Sequence, residues 1–169
     1  MPHRFRLAPT LAAASILCTA GLFAQGAAPT TEVVHVVVTG GAKAGTYDAV
    51  AIKGGCSTGA NGPGSWGNAY SVPTAAPAAL GSLSLIVPDA KAAANGTKQF
   101  LALFGFGSLL NGTRTDLEIE TRPSEKKQTG SGTVTVKDAG ATAAVTIDGQ
   151  TADGAKIHAT IDCKSVFHL

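Results

Sequence analysis

Four stretches of the chain alternate apolar and polar residues one for one. A period of two admits only extended strands with one face in a core and the other in water. GTVTVKD, 132 to 138, sends Val134 and Val136 one way and Thr133, Thr135 and Lys137 the other. ATAAVTID, 141 to 148, sets Ala143, Val145 and Ile147 against Thr142, Thr146 and Asp148. AKIHATIDC, 155 to 163, sets Ile157, Ala159, Ile161 and Cys163 against Lys156, His158, Thr160 and Asp162. TDLEIET, 115 to 121, turns Leu117 and Ile119 inward and Asp116, Glu118 and Glu120 outward. Strands with one wet face belong to antiparallel sheets.

Three further segments are apolar on both faces or nearly so: EVVHVVVT (32 to 39), LGSLSLIV (80 to 87) and FLALFGF (100 to 106). Such strands suit the middle of a sandwich. TYDAVAIK, 46 to 53, is a weaker strand candidate. No segment carries a long helical period. PDAKAAAN, 88 to 95, has Pro88 at a start position and Asn95-Gly96 as a stop, which predicts about two helical turns. TAAPAAL, 74 to 80, allows another turn that Pro77 limits. The expected fold is all-β, an antiparallel β-sandwich or flattened barrel of about eight strands with one or two short helical turns.

One hairpin register follows from matching inward faces. A two-residue loop at Asp153-Gly154 would pair Ile147 with Thr160 and mix faces. A three-residue loop, Ala152-Asp153-Gly154, pairs Ile147 with Ala159 and Val145 with Ile161. It also puts Gly154 where such a loop needs a left-handed residue. The same register sets Ala143 opposite Cys163, with the sulfur in the core.

The first residues have the order of a secretory signal. Arg4 and Arg6 make a basic front, an uncharged apolar stretch follows, and Ala24 offers a small-residue cleavage point. Pro9, Thr10, Ser15 and Thr19 make the stretch short and weakly hydrophobic for a permanent span. Residues 1–24 are therefore expected to be removed, leaving 25–169 as a single domain that does not span the membrane. Cys18 follows the bulky Leu17, which argues against lipidation. Of 13 Lys and Arg, Arg4 and Arg6 precede the cleavage point, and none of the 11 acids does, so the mature chain is neutral. A neutral domain has no global field for nucleic acid or anionic membrane. Cys56 and Cys163 remain, and in an oxidising compartment they are expected to be joined.

The catalytic inventory is thin. GPGSWG, 62 to 67, has the G-x-G-x-x-G spacing, but neither a strand before it nor a helix behind it. Without that unit the glycines cannot present helix amides to a pyrophosphate, and no cofactor is expected. GGCSTGANGPGSWGNAY instead reads as a long connection pinned by Cys56 at its start and by Trp66 and Tyr70 at its end. Trp66 and Tyr70 are the candidate ligand contacts, because aromatic side chains dominate recognition surfaces. A core plug is the competing role for Trp66. His35 lies in a valine-rich strand, where a hydrogen-bonded structural role is expected, His158 on a wet face, and His168 near the C-terminus. No pair has metal-ligand spacing, and no G-x-S-x-G elbow exists. Asn95-Gly-Thr and Asn111-Gly-Thr match the glycosylation acceptor and are read as turns.

Residues 38 to 163 resemble a group of small exported bacterial β-rich proteins. The resemblance lies in VTGGAKAGTYDA, GSWGNAYSV, LIVPDAKAA and GSGTVTV with ATAAVTIDGQTADGAKIHATIDC. The C-terminal stretch also resembles the mycobacterial 19 kDa lipoprotein antigen family, whose lipidated cysteine has no counterpart here. These resemblances imply export and name no chemistry. The expected role is a non-catalytic binding or envelope-associated module in the periplasm or outside the cell. Its partner would be a protein or carbohydrate, and the chain a monomer or weak homo-oligomer. The alternative is a small secreted hydrolase with a site assembled from distant residues.

Overall fold

The computed structural model describes residues 31–169 except 52, 53, 73, 124 and 126, so the expected leader and cleavage point, and Cys18, lie outside the described residues. In chain order the elements are β1 (Glu32–Thr39), β2 (Gly45–Ala51), β3 (Gly55–Thr58), β4 (Trp66–Ser71), β5 (Leu80–Val87), α1 (Ala90–Ala93), β6 (Leu101–Phe106), β7 (Thr115–Glu120), β8 (Ser131–Asp138), β9 (Ala143–Gln150), β10 (Lys156–Cys163) and β11 (Val166–His168). They form two facing sheets. One is antiparallel with order β2-β1-β10-β9-β8. The other has order β11-β3-β4-β5-β6-β7 and is antiparallel apart from the parallel β11–β3 pair. The architecture is an all-β sandwich and not a closed barrel.

The strands that are apolar on both faces occupy interior positions, as their sequences require: β1 between β2 and β10, β5 between β4 and β6, β6 between β5 and β7. The β9–β10 hairpin has the expected register, with Ala159 opposite Ile147, Ile161 opposite Val145 and Cys163 opposite Ala143. The Thr151 amide donates to the Ala155 carbonyl at 2.9 Å and closes the three-residue loop. Gly154 sits there at φ +91°, a backbone state that costs a side chain energy.

Three expectations are corrected. GGCSTGANGPGSWGNAY is not an unstructured connection but the β3–β4 hairpin. The Gly59 amide donates to the Ser65 carbonyl at 2.9 Å across the turn that holds Gly62 and Gly64, so the G-x-G-x-x-G spacing is a hairpin turn. The alternation of β4 is hidden because Gly67 and Ala69 on its outward face have no polar side chain and the inward Asn68 has one. The helix is a single turn, not two. Asp89 caps it, its Oδ1 accepting from the Lys91 and Ala92 amides at 2.9 and 3.0 Å. Glu120 is buried rather than wet, covered where Thr129 pairs with it and Arg122 folds back on its carboxylate.

The core is built unequally. Trp66, Tyr70, Phe104 and Phe106 come from the six-stranded sheet, and Phe100 from the loop entering it. The five-stranded sheet answers with Val34, Val36, Val145, Ile147 and Ile161. Cys56 on β3 and Cys163 on β10 are disulfide-bonded across the sandwich, 107 residues apart in sequence, with Cα atoms 6.0 Å apart. Closing a loop of that length removes unfolded-state entropy of about 4–5 kcal/mol in the chain-entropy account.

Candidate functional site

Polar chemistry concentrates on the outer face of the five-stranded sheet. Pairing places Asp48 of β2 opposite His35 of β1, and Asp148 of β9 opposite His158 of β10. Each couple is hydrogen-bonded: His35 Nδ1 to Asp48 Oδ1 at 2.6 Å, His158 Nδ1 to Asp148 Oδ1 at 2.6 Å. A carboxylate can only accept, so Nδ1 carries the proton in both and Nε2 of the neutral ring is left as an acceptor. The two imidazoles lean apart, His35 toward β2 and His158 toward β9. Thr160, Thr146 and Thr135 face one another across β10, β9 and β8 and form a hydroxyl row beside them.

A cleft of about 360 Å³ opens on this face, lined by Val37, Thr39, Ser131, Asp148, Gln150, Lys156 and His158. Gly132 and Gly149 are paired beneath it and face inward. A Cβ on Gly149 would stand 2.5 Å from Ile119 Cδ1, and one on Gly132 3.1 Å from Phe100 Cζ. The bare backbone lets β8 and β9 lie close on the core at this point. The cleft thus offers an imidazole, a carboxylate, an amide, an ammonium and two hydroxyls within one shallow surface. A second hollow of about 330 Å³, lined by Asp116, Glu118, Thr129, Thr151 and Asp153 among others, is acidic.

The aromatic candidates lie elsewhere. Trp66 is fully buried and Tyr70 nearly so, both on the core face of β4. The Tyr70 hydroxyl donates to the Leu80 carbonyl at 3.5 Å. Burial, and then the neighbouring Glu32 carboxylate, push its phenol above the usual range. His35 is hydrogen-bonded as expected, through Asp48. His168 bridges Thr58 Oγ1 and the Gly140 carbonyl, at 2.9 Å each, and so ties the C-terminal strand to the end of β3 and to the β8–β9 turn. Among the described residues no group of three or more His, Cys, Asp and Glu side chains is placed to hold a metal ion. No described helix is long and apolar enough to cross a membrane.

Sequence reasoning had not singled out Asp48, Asp148, Glu32 or Asn68. The signal for Asp148 was present, because pairing Ile147 with Ala159 necessarily pairs Asp148 with His158. Glu32 and Asn68 gave none, since each stands on a core face that alternation assigns to apolar residues. They meet between the sheets beside the disulfide. The Asn68 amide donates to Glu32 Oε2, which lies 3.7 Å from Cys56 Sγ. Comparison with family models, curated proteins and solved structures found no match.

Proposed function

We propose that this chain is an exported, non-catalytic binding module that holds a polar ligand, a protein segment or a carbohydrate, on the outer face of its five-stranded sheet. The observation that carries the reading is the pair of His–Asp couples held on rigid paired strands beside a shallow cleft. Fixed donors and acceptors on strands orient a ligand more sharply than the same groups on loops. The cleft mixes donors and acceptors and has an open floor, which suits hydroxyl-rich or peptide ligands. The inter-sheet disulfide supports a life in an oxidising compartment. A hydrolase would need a nucleophile or a water poised at one of the imidazoles, and Nε2 of His158 is the position it would use.

The test is an array of glycans and peptides probed with the purified domain, followed by His158→Ala and Asp148→Asn. Binding lost in these variants with unchanged thermal stability supports the reading. Turnover of ester, glycoside or peptide substrates, abolished by either substitution, would replace it with the hydrolase.

A further inference from the structure

The disulfide has a polar twin. In the five-stranded sheet Glu32 of β1 is directly opposite Cys163 of β10, and in the six-stranded sheet Asn68 of β4 is directly opposite Cys56 of β3. The sulfurs join one facing pair across the sandwich, and Glu32 and Asn68 join the other. The four side chains make a rectangle, with two edges along the sheets and two across the core. All four residues are buried, Glu32 at 0 % exposure and Asn68 at 3 %.

One hydrogen bond of the polar edge is formed, from the Asn68 amide to Glu32 Oε2. Glu32 Oε1 and Asn68 Oδ1 are both buried without a partner. Two acceptors cannot satisfy each other, and leaving both buried and unpaired is unfavourable. A single proton on the carboxyl resolves both at once. An acid and a primary amide then exchange two hydrogen bonds in a closed ring. We propose that Glu32 is kept as the neutral acid, its Oε1–H donating to Asn68 Oδ1, and that this ring is a pH-sensitive clasp between the sheets beside the disulfide.

The surroundings favour the neutral form. Burial raises the Glu32 carboxyl from the ordinary carboxylate range to about 7, against the lowering effect of the Asn68 hydrogen bond. The groups packed on it from other strands are Cys56 and Cys163, which are bonded and do not titrate, Ala51 opposite it on β2, and Tyr70. Tyr70 stays a neutral phenol through this range, so among the described residues no neighbouring charge compensates an ionised Glu32.

The sign is then fixed. Below the ordinary carboxylate pKa both folded and unfolded chains hold the proton and the clasp is intact. As pH rises from there to about 7, the unfolded chain releases its proton first and stability falls. Above that range the loss is complete and constant. It corresponds to a fall on the order of a hundredfold in the folding equilibrium constant.

Glu32→Gln supplies the test, because an amide at position 32 can keep both bonds of the ring without titrating. Denaturant unfolding of the wild type and the variant at about pH 5 and about pH 8 isolates this one group from other titrations. The two proteins are expected to be alike at the lower pH, and the variant more stable by a factor on the order of a hundred at the higher. A variant less stable than wild type at both pH values, by the same factor, overturns the proposal, since it would show an ionised carboxylate in the native state. Carbon-13 NMR of the Glu32 carboxyl in the wild type decides independently of whether the variant folds. A midpoint near neutrality supports the clasp, and one in the ordinary carboxylate range overturns it.

Discussion

The two sheets share one core and present opposite exteriors. Outside the five-stranded sheet stand threonine hydroxyls, Lys156 and the two His–Asp couples. Outside β4, β5 and β6 of its partner stand Gly67, Ala69, Ser82, Ser84, Ile86, Leu101 and Leu103, mostly small or aliphatic. Their inner faces are also opposites. The six-stranded sheet brings the large rings and the five-stranded sheet brings β-branched and small side chains, with Tyr47 of β2 an exception that packs edge-on against Phe106 at 4.6 Å. The difference teaches that volume and polar chemistry have been separated. One layer supplies the large rings of the interior and the other the paired imidazoles of the exterior, while Asp116 and Glu118 stand outside β7 at the edge of the first.

The comparison can be broken first where it predicts the largest effect. Phe104→Ala in the six-stranded sheet should cost about 3–5 kcal/mol in denaturant unfolding, and Ile147→Val in the five-stranded sheet about 1 kcal/mol. Equal costs would show that the interior is not filled mainly from one side. Replacing Cys56 and Cys163 together with Ala should cost about 2–5 kcal/mol without altering the outer faces. A changed ligand response at His158 would show that the layers communicate.

The Glu120–Arg122 contact is the next step down. Arg122 Nη2 lies 2.5 Å from Glu120 Oε2 at the edge of the six-stranded sheet. Burial pushes the Glu120 carboxyl up, but the Arg122 hydrogen bonds and charge outweigh it and hold the carboxyl below its usual range. This group therefore stabilises the fold above the ordinary carboxylate pKa, and its contribution disappears as pH falls through the lowered value. Arg122→Ala should cost about 1–3 kcal/mol near neutrality and much less in acid, read from unfolding midpoints. Glu32 has the reverse pH sense, so the two variants should tilt the stability profile in opposite directions. The smallest effect is expected at the β9–β10 turn. Gly154→Ala places a side chain at φ +91° with only Gln150 Nε2 near it, at 3.6 Å. About 1 kcal/mol of thermal stability should be lost there, from backbone conformation alone.

Legibility followed the same division. In the five-stranded sheet one face is wet, so β8, β9 and β10 alternate openly, and the β9–β10 register could be derived from face matching alone. In β3 and β4 the outward residues are Gly55, Ser57, Gly67, Ala69 and Ser71, small residues common in loops, so a strand looked like a loop, and two strands were missed with the short β11. Asp148 was reachable by extending the hairpin register one residue. Asp48 was not, because the β1–β2 turn has no comparable signal. Glu32 and Asn68 break the rule that core faces are apolar, and only the facing of the two sheets explains why both exceptions occur at the same depth.

The covalent loop from Cys56 to Cys163 encloses β3 through β10 and leaves β1, β2 and β11 outside it. Yet β1 lies between β2 and β10, in the interior of its sheet. Without the first hairpin the cross-linked body would end its sheet at β10, and the hairpin is held on that edge by backbone pairing, the valine face, the Glu32–Asn68 bond and Tyr47 against Phe106. An added peptide of the β1–β2 residues is therefore expected to compete for the β10 edge.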